Sequence, residues 1–299
     1  MNGILLVDKP SGMTSHDVVD KVRKIAQMRR IGHTGTLDPA ATGLLILCLG
    51  SATRLSEHFT ALGKVYEGTM RLGITTSSYD LEGETVSESP VPALDRDTIQ
   101  AECDKFVGPI EQIPPMVSAV RIGGERLYKK ARKGEVVDRP ARSVVVDAFD
   151  VLSFESPDAL VRVACSSGTY VRSLCHDVGA VVGCGAVLAS LRRIAVGRHH
   201  VDNSITLEGL SDPDSVAARL LPMGDALELP MGILDPEAMK ILSNGGTLRS
   251  SDLLEGCPVM SGWLQIKNTA GDLLALAQVE STPGETLVYP KRVFHSESQ

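Results

Sequence analysis

No apolar run in this 299-residue sequence approaches the ~20 residues that a membrane-spanning helix needs; the longest is Leu44 to Leu49 with its flanks. A secretory signal is not expected either, because Ile4-Leu5-Leu6-Val7 runs straight into Asp8-Lys9-Pro10. The six cysteines (Cys48, Cys103, Cys165, Cys175, Cys184 and Cys257) include no C-x-x-C pair, and none lie closer than nine positions. That spacing argues against zinc, and a disulfide framework is not expected in a chain of this size, so a reduced, cytoplasmic setting is expected. Rossmann, P-loop and metal-ligand motifs are missing, as are internal repeats and low-complexity segments. At 43% hydrophobic and 22% charged, the composition excludes a disordered, coiled-coil or collagen-like protein.

The charge that is present is unevenly placed. The net charge is −7, but residues 202–299 hold 6 Lys+Arg against 14 Asp+Glu, and residues 77–104 hold Arg96 against eight acids. The remainder carries 23 basic and 15 acidic residues. Its surplus gathers in two clusters: Lys21, Arg23, Lys24, Arg29 and Arg30, then Arg121, Arg126, Lys129, Lys130, Arg132, Lys133, Arg139 and Arg142. Basic clusters in an acidic protein point to one face that meets a polyanion, although helical Lys and Arg are also simply well solvated.

Periodicity divides the chain into mixed elements. Gly3 to Asp8 reads as a buried strand closed by the turn Lys9-Pro10-Ser11-Gly12, and Ser15 is placed as the N-cap of a basic helix with Val18, Val19, Val22, Ile25 and Ala26 inward. A strand at Leu44 to Leu49, a helix from about 53 to 62 and a strand from Lys64 to Leu72 follow. Residues 74–92 read as an exposed excursion, 95–106 as a helix, 108–115 as a rigid turn, 116–122 as a strand and about 125–133 as a basic helix. Long strands are expected at Val144 to Phe154 and Leu160 to Cys165, then a turn at Gly168 into a helix. Without regular βαβ spacing this is an α+β pattern and not a doubly wound sheet. Past about 205, turn-separated apolar segments (Leu264 to Ile266, Leu273 to Val279, Thr286 to Tyr289) suggest a small β-rich domain. The expected division is 1–210, with an insertion at about 74–140, and 211–299.

The most unusual segment is Gly32-His33-Thr34-Gly35-Thr36-Leu37-Asp38-Pro39-Ala40-Ala41-Thr42-Gly43-Leu44-Leu45. Its glycine, proline and threonine density fixes a defined loop, and loops on rigid scaffolds are where functional groups concentrate. On pattern alone a loop Asp before Pro, such as Asp38, is more often a turn former, and a loop histidine such as His33 is usually a surface or hydrogen-bonding residue. Cys175-His176-Asp177 cannot be a triad, since consecutive helical residues point about 100° apart. Asp80-x-Glu82-Gly83 lacks the remaining ligands of a calcium loop.

Read as G-H-T-G-x-L-D-P-x-A-x-G-x-L, that loop closely resembles the catalytic-aspartate motif of the TruB family of bacterial tRNA pseudouridine synthases. Further likeness lies in the segment from Asn2-Gly3 to Thr14-Ser15, in Lys64-x-Tyr66 with Leu72-Gly73, and in Ile113-Pro114-Pro115 through Ser118-Ala119-Val120. It continues in Gly124-x-x-Leu127-Tyr128-x-x-Ala131-Arg132-x-Gly134, in Gly168-Thr169-Tyr170-Val171-Arg172-Ser173-Leu174, and in Gly183-x-Gly185 through Leu191-Arg192-Arg193. The motifs stand in register over about 1–200. Beyond 205 the tail is similar, more loosely, to a compact PUA-type domain.

The resemblance implies a pseudouridine synthase fold: a mixed, largely antiparallel sheet with a thumb-like insertion and a small PUA-like β domain. It implies isomerisation of uridine 55 in the T stem-loop of tRNA, with no cofactor and no metal. Asp38 would be the catalytic carboxylate, Arg172 its partner, and Tyr66 a stacking and hydroxyl-bearing neighbour; whether the carboxylate attacks C1′ or C6, or removes the C2′ proton, stays open. Tyr170, Leu191 and Lys64 would line the uridine pocket, and His33 would fill the gap left by the flipped base. Arg29, Arg30, Lys129, Lys130 and Arg132 would meet phosphates. One departure stands out: where the family often has T-D-T-x-D-x-x-G, this chain has Thr76-Ser77-Ser78-Tyr79-Asp80-Leu81-Glu82-Gly83, without the first aspartate. The start of the chain at the N-G-x-L motif fits a stand-alone type better, with no obligatory protein partner expected, and the lack of an exposed heptad or extended apolar stripe makes a monomer the expectation. The rival expectations are a non-catalytic tRNA-folding helper and a guide-dependent synthase.

Overall fold

Strand β1 (Gly3–Lys9) is apolar on both faces, and the computed structural model, which describes residues 1–116, 118, 121–122, 125–126 and 137–294, shows why. Leu5 and Val7 face helix α1 (Ser15–Ile25), packing with Val18, Val19 and Val22. Ile4 and Leu6 face the opposite layer with Phe59 of helix α2 (Ser56–Ala61). Period-two alternation thus sends one strand into two cores. Its neighbour β3 (Thr42–Leu49) repeats the pattern: Leu45, Leu47 and Leu49 lie on the α1 side, Leu44, Ile46 and Cys48 on the other. The short β2 (Ile31–His33) pairs antiparallel with β3.

From there the sheet runs through the long strand Ala186–Val196 to β4 (Lys64–Leu72), then Asp158–Cys165, Arg142–Glu155 and the edge strand Gly108–Gln112. Among the described residues ten strands are joined; most pairs are antiparallel, and β3 with Ala186–Val196 and β1 with Ile205–Thr206 are parallel. The mixed, largely antiparallel α+β sheet is therefore as expected. Helices α3 (Arg96–Asp104) and α4 (Val171–Val182) cover its far half over a core that includes Met70, Phe149, Val161, Leu174 and Val178. Gly179 is required there: a Cβ on it would sit 2.1 Å from the Ala186 nitrogen, so only glycine lets α4 lie this close to the sheet.

Residues from Met231 onward form a second sheet of five strands, built on Ser261–Lys267, Leu273–Thr282 and Glu285–Val293. It has its own core around Leu234, Leu264, Ile266 and Val288. It also shares one, because Leu273, Leu276 and Phe294 pack with Ile4, Leu44 and Phe59.

Several local expectations need correction. Thr14, not Ser15, caps α1, through a capping box with Asp17. The excursion at 74–92 folds into a hairpin, Ile74–Thr76 against Thr85–Glu88, that returns to the sheet. The rigid turn at 108–115 begins instead as an edge strand, where its Pro109 is tolerated because one side of the strand needs no donor. The 53–62 helix is split into a 3-10 stretch (Gly50–Leu55) and α2. Of the expected strand at 116–122 and basic helix at 125–133, the described part is a two-residue pairing of Arg121–Ile122 with Glu125–Arg126. Lys129, Lys130 and Arg132 lie outside the described residues.

Candidate active site

The loop that carries Asp38 has no regular structure of its own, so its shape must come from what grips it. The N-terminal turn supplies most of the grip. The Lys9 ammonium, fully buried, donates to the carbonyls of Pro10 (2.9 Å), Pro39 (3.1 Å) and Ala41 (2.6 Å). The Gly12 N–H donates to Pro39 O at 2.9 Å, and the Ser11 hydroxyl donates to Ala40 O at 3.1 Å. Ser15, released from capping, accepts from the Leu37 N–H (2.9 Å) and donates to the Leu37 carbonyl (3.2 Å). From the other side Arg193, 1% exposed, donates to Gly35 O (3.1 Å) and Leu44 O (2.7 Å). A side chain at Gly43 (φ +98°) would put its Cβ 2.3 Å from the Arg193 carbonyl, so this glycine keeps the loop close to that strand. Residues 35, 37, 39, 40 and 41 are each held, and Asp38 is presented between them.

Asp38 Oδ2 lies 3.1 Å from Arg172 Nη2. Arg172 comes from the first turn of α4 and is 4% exposed. A second carboxylate meets the same guanidinium: Asp80 Oδ2 is 2.8 Å from Nη1, which also donates to the Ser78 carbonyl at 3.2 Å. Asp80 is itself fixed by the Ser78 hydroxyl and the Glu82 N–H (3.1 Å). Arg172 therefore bridges the loop aspartate and the hairpin aspartate, which is the planar fork geometry that suits guanidinium and not ammonium.

The electrostatics follow from this packing. Withdrawal from water pushes the Asp38 carboxyl above the ordinary carboxylate range, Arg172 pulls it down, Asp80 pushes it up, and Lys9 pulls it down. The side chain remains 45% exposed, open to a substrate. If the ionised form reacts, the rate should rise with pH through a single ionisation lying above about 4, the ordinary carboxylate value. Single-turnover rates between about pH 4.5 and 8 check this, and a flat profile would reject it.

Tyr66 on β4 is partly buried, near enough to Asp38 and Arg193 for both to act on its phenol; burial raises its pKa and keeps it protonated. Leu191 packs on the same cluster. Tyr170 heads α4, with its backbone gripped on both sides by Gln112: the Gln112 amide donates to Tyr170 O (3.1 Å) and accepts from Tyr170 N (2.8 Å). Burial raises this phenol's pKa too, and it feels Arg172 and Asp38. His33 stands at the start of the loop, and burial with the nearby His16 and Arg193 lowers its pKa, keeping the imidazole neutral. Among the described residues its buried Nδ1 has no hydrogen-bond partner.

Lys64 lies on β4 beside the loop. It is 5% exposed, and its Nζ donates to the Thr60 and Leu62 carbonyls at 2.5 Å each, with burial and Arg193 lowering its pKa to about 8. Its ammonium thus supports the chain beside the loop. Arg29 and Arg30 are exposed at the end of α1, Arg30 donating to the Thr53 hydroxyl at 3.0 Å. Residues not anticipated as part of the site are Asp80, Gln112, Lys9, Ser15 and Arg193. Among the described residues there is no cluster of three or more His, Cys, Asp or Glu side chains able to hold a metal.

Lys9→Met should show how much the grip matters. The replacement leaves three carbonyls without their donor, each costing about 1–3 kcal/mol. A lowered urea midpoint, worth about 3 kcal/mol or more, is expected together with reduced turnover.

The carboxylate loop and the arginine in the first turn of α4 thus meet on one large mixed sheet. The fold is similar to that in a crystal structure of a Cbf5-Nop10-Gar1 complex (TM-score 0.76, 28% identity, covering 98% of this chain and 85% of that one). It is also similar to that in an H/ACA RNP bound to a substrate RNA containing 2′-deoxyuridine (TM-score 0.75, 26% identity, 98% and 85%). Residues 23–171 match the N-terminal domain of the TruB family pseudouridylate synthases, and residues 172–228 match the tRNA pseudouridylate synthase B C-terminal domain. The chain is 40% identical over 303 residues to tRNA pseudouridine synthase B of Pseudomonas aeruginosa (99% of this chain, 97% of the relative). It is 46% identical over 229 residues to the protein of the same name from Opitutus terrae (76% and 95%). The chain belongs to the TruB family of pseudouridylate synthases.

Proposed function

We propose that this chain converts uridine 55 in the T stem-loop of tRNA to pseudouridine, acting alone in the cytoplasm, as a monomer and without a cofactor. The observation that carries the reading is the Asp38–Arg172 pair, a carboxylate half open to solvent on a loop held on both sides. The reaction breaks the N1–C1′ bond, turns the uracil and joins C5 to C1′; it is an isomerisation and needs no redox partner. Asp38 supplies the carboxylate, Arg172 holds it ionised and oriented, and Tyr66 stacks on the base with its hydroxyl kept protonated by burial. Tyr170 and Leu191 close the pocket. Because the target base is stacked inside an RNA loop, it must be flipped out. The neutral His33 imidazole occupies the space it leaves.

Arg29 and Arg30, with Lys129, Lys130 and Arg132 of the insertion, meet phosphates and orient the RNA. The segment 211–299 serves as an RNA-associated domain, and its acidity keeps its share of phosphate binding small. A guide-dependent synthase is the second reading, but the relatives named tRNA pseudouridine synthase B do not favour it.

The test is purified protein with an unmodified tRNA transcript and nothing else, pseudouridine being mapped by carbodiimide-blocked primer extension. A stop at position 55 is expected. Product only after adding partner proteins and a guide RNA would replace the stand-alone reading, and binding without product would replace catalysis altogether.

A further inference from the structure

Tyr79 has an unusual backbone. Apart from Gln27 it is the only non-glycine among the described residues with positive φ (+65°), a conformation that bulky side chains rarely adopt. Its ring stacks flat on His176, with centroids 3.9 Å apart and planes 14° from parallel. His176 lies four positions after Arg172, one turn along the same face of α4. Tyr79 immediately precedes Asp80 at the tip of the hairpin. The helix face therefore takes hold of the hairpin tip twice: Arg172 on the Asp80 carboxylate and the Ser78 carbonyl, and His176 on the Tyr79 ring. The Leu188 N–H donates to Tyr79 O at 3.0 Å and fixes the same residue to the sheet.

We infer that Tyr79 and His176 are a positioning pair for the reaction: their stack seats the hairpin so that Asp80 orients Arg172 and, through it, Asp38. The reasoning is geometric. Asp80 and Asp38 come from segments that share no strand pairing, and Arg172 is their common partner. Any tilt of the hairpin shifts Asp80, turns the guanidinium and changes the angle at which Asp38 is presented. The ring stack resists that tilt at a residue whose backbone conformation would otherwise favour another shape. A misplacement of about 1 Å in such a constellation is enough to lower turnover by about 100-fold.

The inference rests on Asp38 and Arg172 being the reacting pair, and the experiment separates the two claims. Pseudouridine formation is measured for the full chain and for Asp38→Asn, Tyr79→Gly, Tyr79→Phe, His176→Ala and His176→Phe, with tRNA affinity and thermal midpoint measured alongside. Tyr79→Gly suits the positive φ and removes only the ring. It is expected to lower kcat by about 10- to 100-fold with tRNA affinity within about twofold of the parent. His176→Ala should do the same, the double variant should be little worse than either, and both phenylalanine variants should keep kcat within about threefold. Full kcat in Tyr79→Gly would overturn the inference, because the position would then need only its backbone shape. A loss confined to KM and affinity would overturn it too, making Tyr79 an RNA contact. Full activity in Asp38→Asn would instead sink the reading of the reacting pair.

Discussion

Asp38→Asn is expected to lower pseudouridine formation by about ten-thousand-fold or more, the scale seen when the central reacting group of a site is removed. The amide is the same size but is neither a nucleophile nor a base. The fold should survive intact, because the loop is held through Leu37, Pro39, Ala40, Ala41 and Gly35 by groups that do not use the Asp38 carboxylate. Arg172 also keeps Asp80 as an anionic partner. Desolvation opposes the charge on Asp38, so a neutral amide fits there with little or no loss of stability. tRNA affinity should change by no more than a few-fold. Primer extension on the transcript, with filter binding and thermal melting on the same preparation, checks all three. Substantial turnover by a folded, binding-competent Asp38→Asn would remove the carboxylate from the mechanism.

Arg172 should behave differently, since both activity and stability depend on it. Arg172→Met leaves Asp38 and Asp80 facing each other across an apolar side chain. Breaking a buried pair typically costs 3–5 kcal/mol, and with Asp38 half exposed a loss of about 3 kcal/mol is expected. Turnover should fall by about 1,000-fold, because the carboxylate is no longer held in one orientation. Arg172→Lys is the sharper variant. A single ammonium cannot span two carboxylates and the Ser78 carbonyl as the planar fork does. It should recover part of the stability but little of the activity. Urea midpoints and single-turnover rates distinguish these outcomes, and near-parental turnover in the lysine variant would show that the fork geometry is unimportant.

What the sequence revealed, and what it hid, follows from the range of each signal. The apolar strands around Leu5 and Leu45 and the loop around Asp38 were legible because their signals are local: period-two burial in one case, glycine and proline density in the other. The strand Ala186–Val196 was not anticipated, since Arg192 and Arg193 interrupt its apolar pattern. In the structure Arg192 pairs with Asp8, and Arg193 is buried with backbone carbonyls as its partners. Asp80 was obscured by its surroundings, an acidic, serine-rich stretch that reads as solvated until the hairpin carries it back to Arg172. Ser15 shows how narrow the margin can be: Thr14 satisfies the cap, and the freed hydroxyl one residue on becomes a grip on the catalytic loop. Lys9 and Gln112 could not be assigned without tertiary structure, because the carbonyls that make them useful belong to segments about 30 and 58 positions away.

The side chains of Leu273, Leu276 and Phe294 lie in the same apolar layer as Ile4, Leu44 and Phe59. Arg54 spans the junction, donating to the Val293 carbonyl with its guanidinium 5.2 Å from the centre of the Phe294 ring. A module on a flexible tether samples a cloud of positions, whereas one seated in a common layer does not. Whatever the second sheet touches is thus held at a set distance from Asp38.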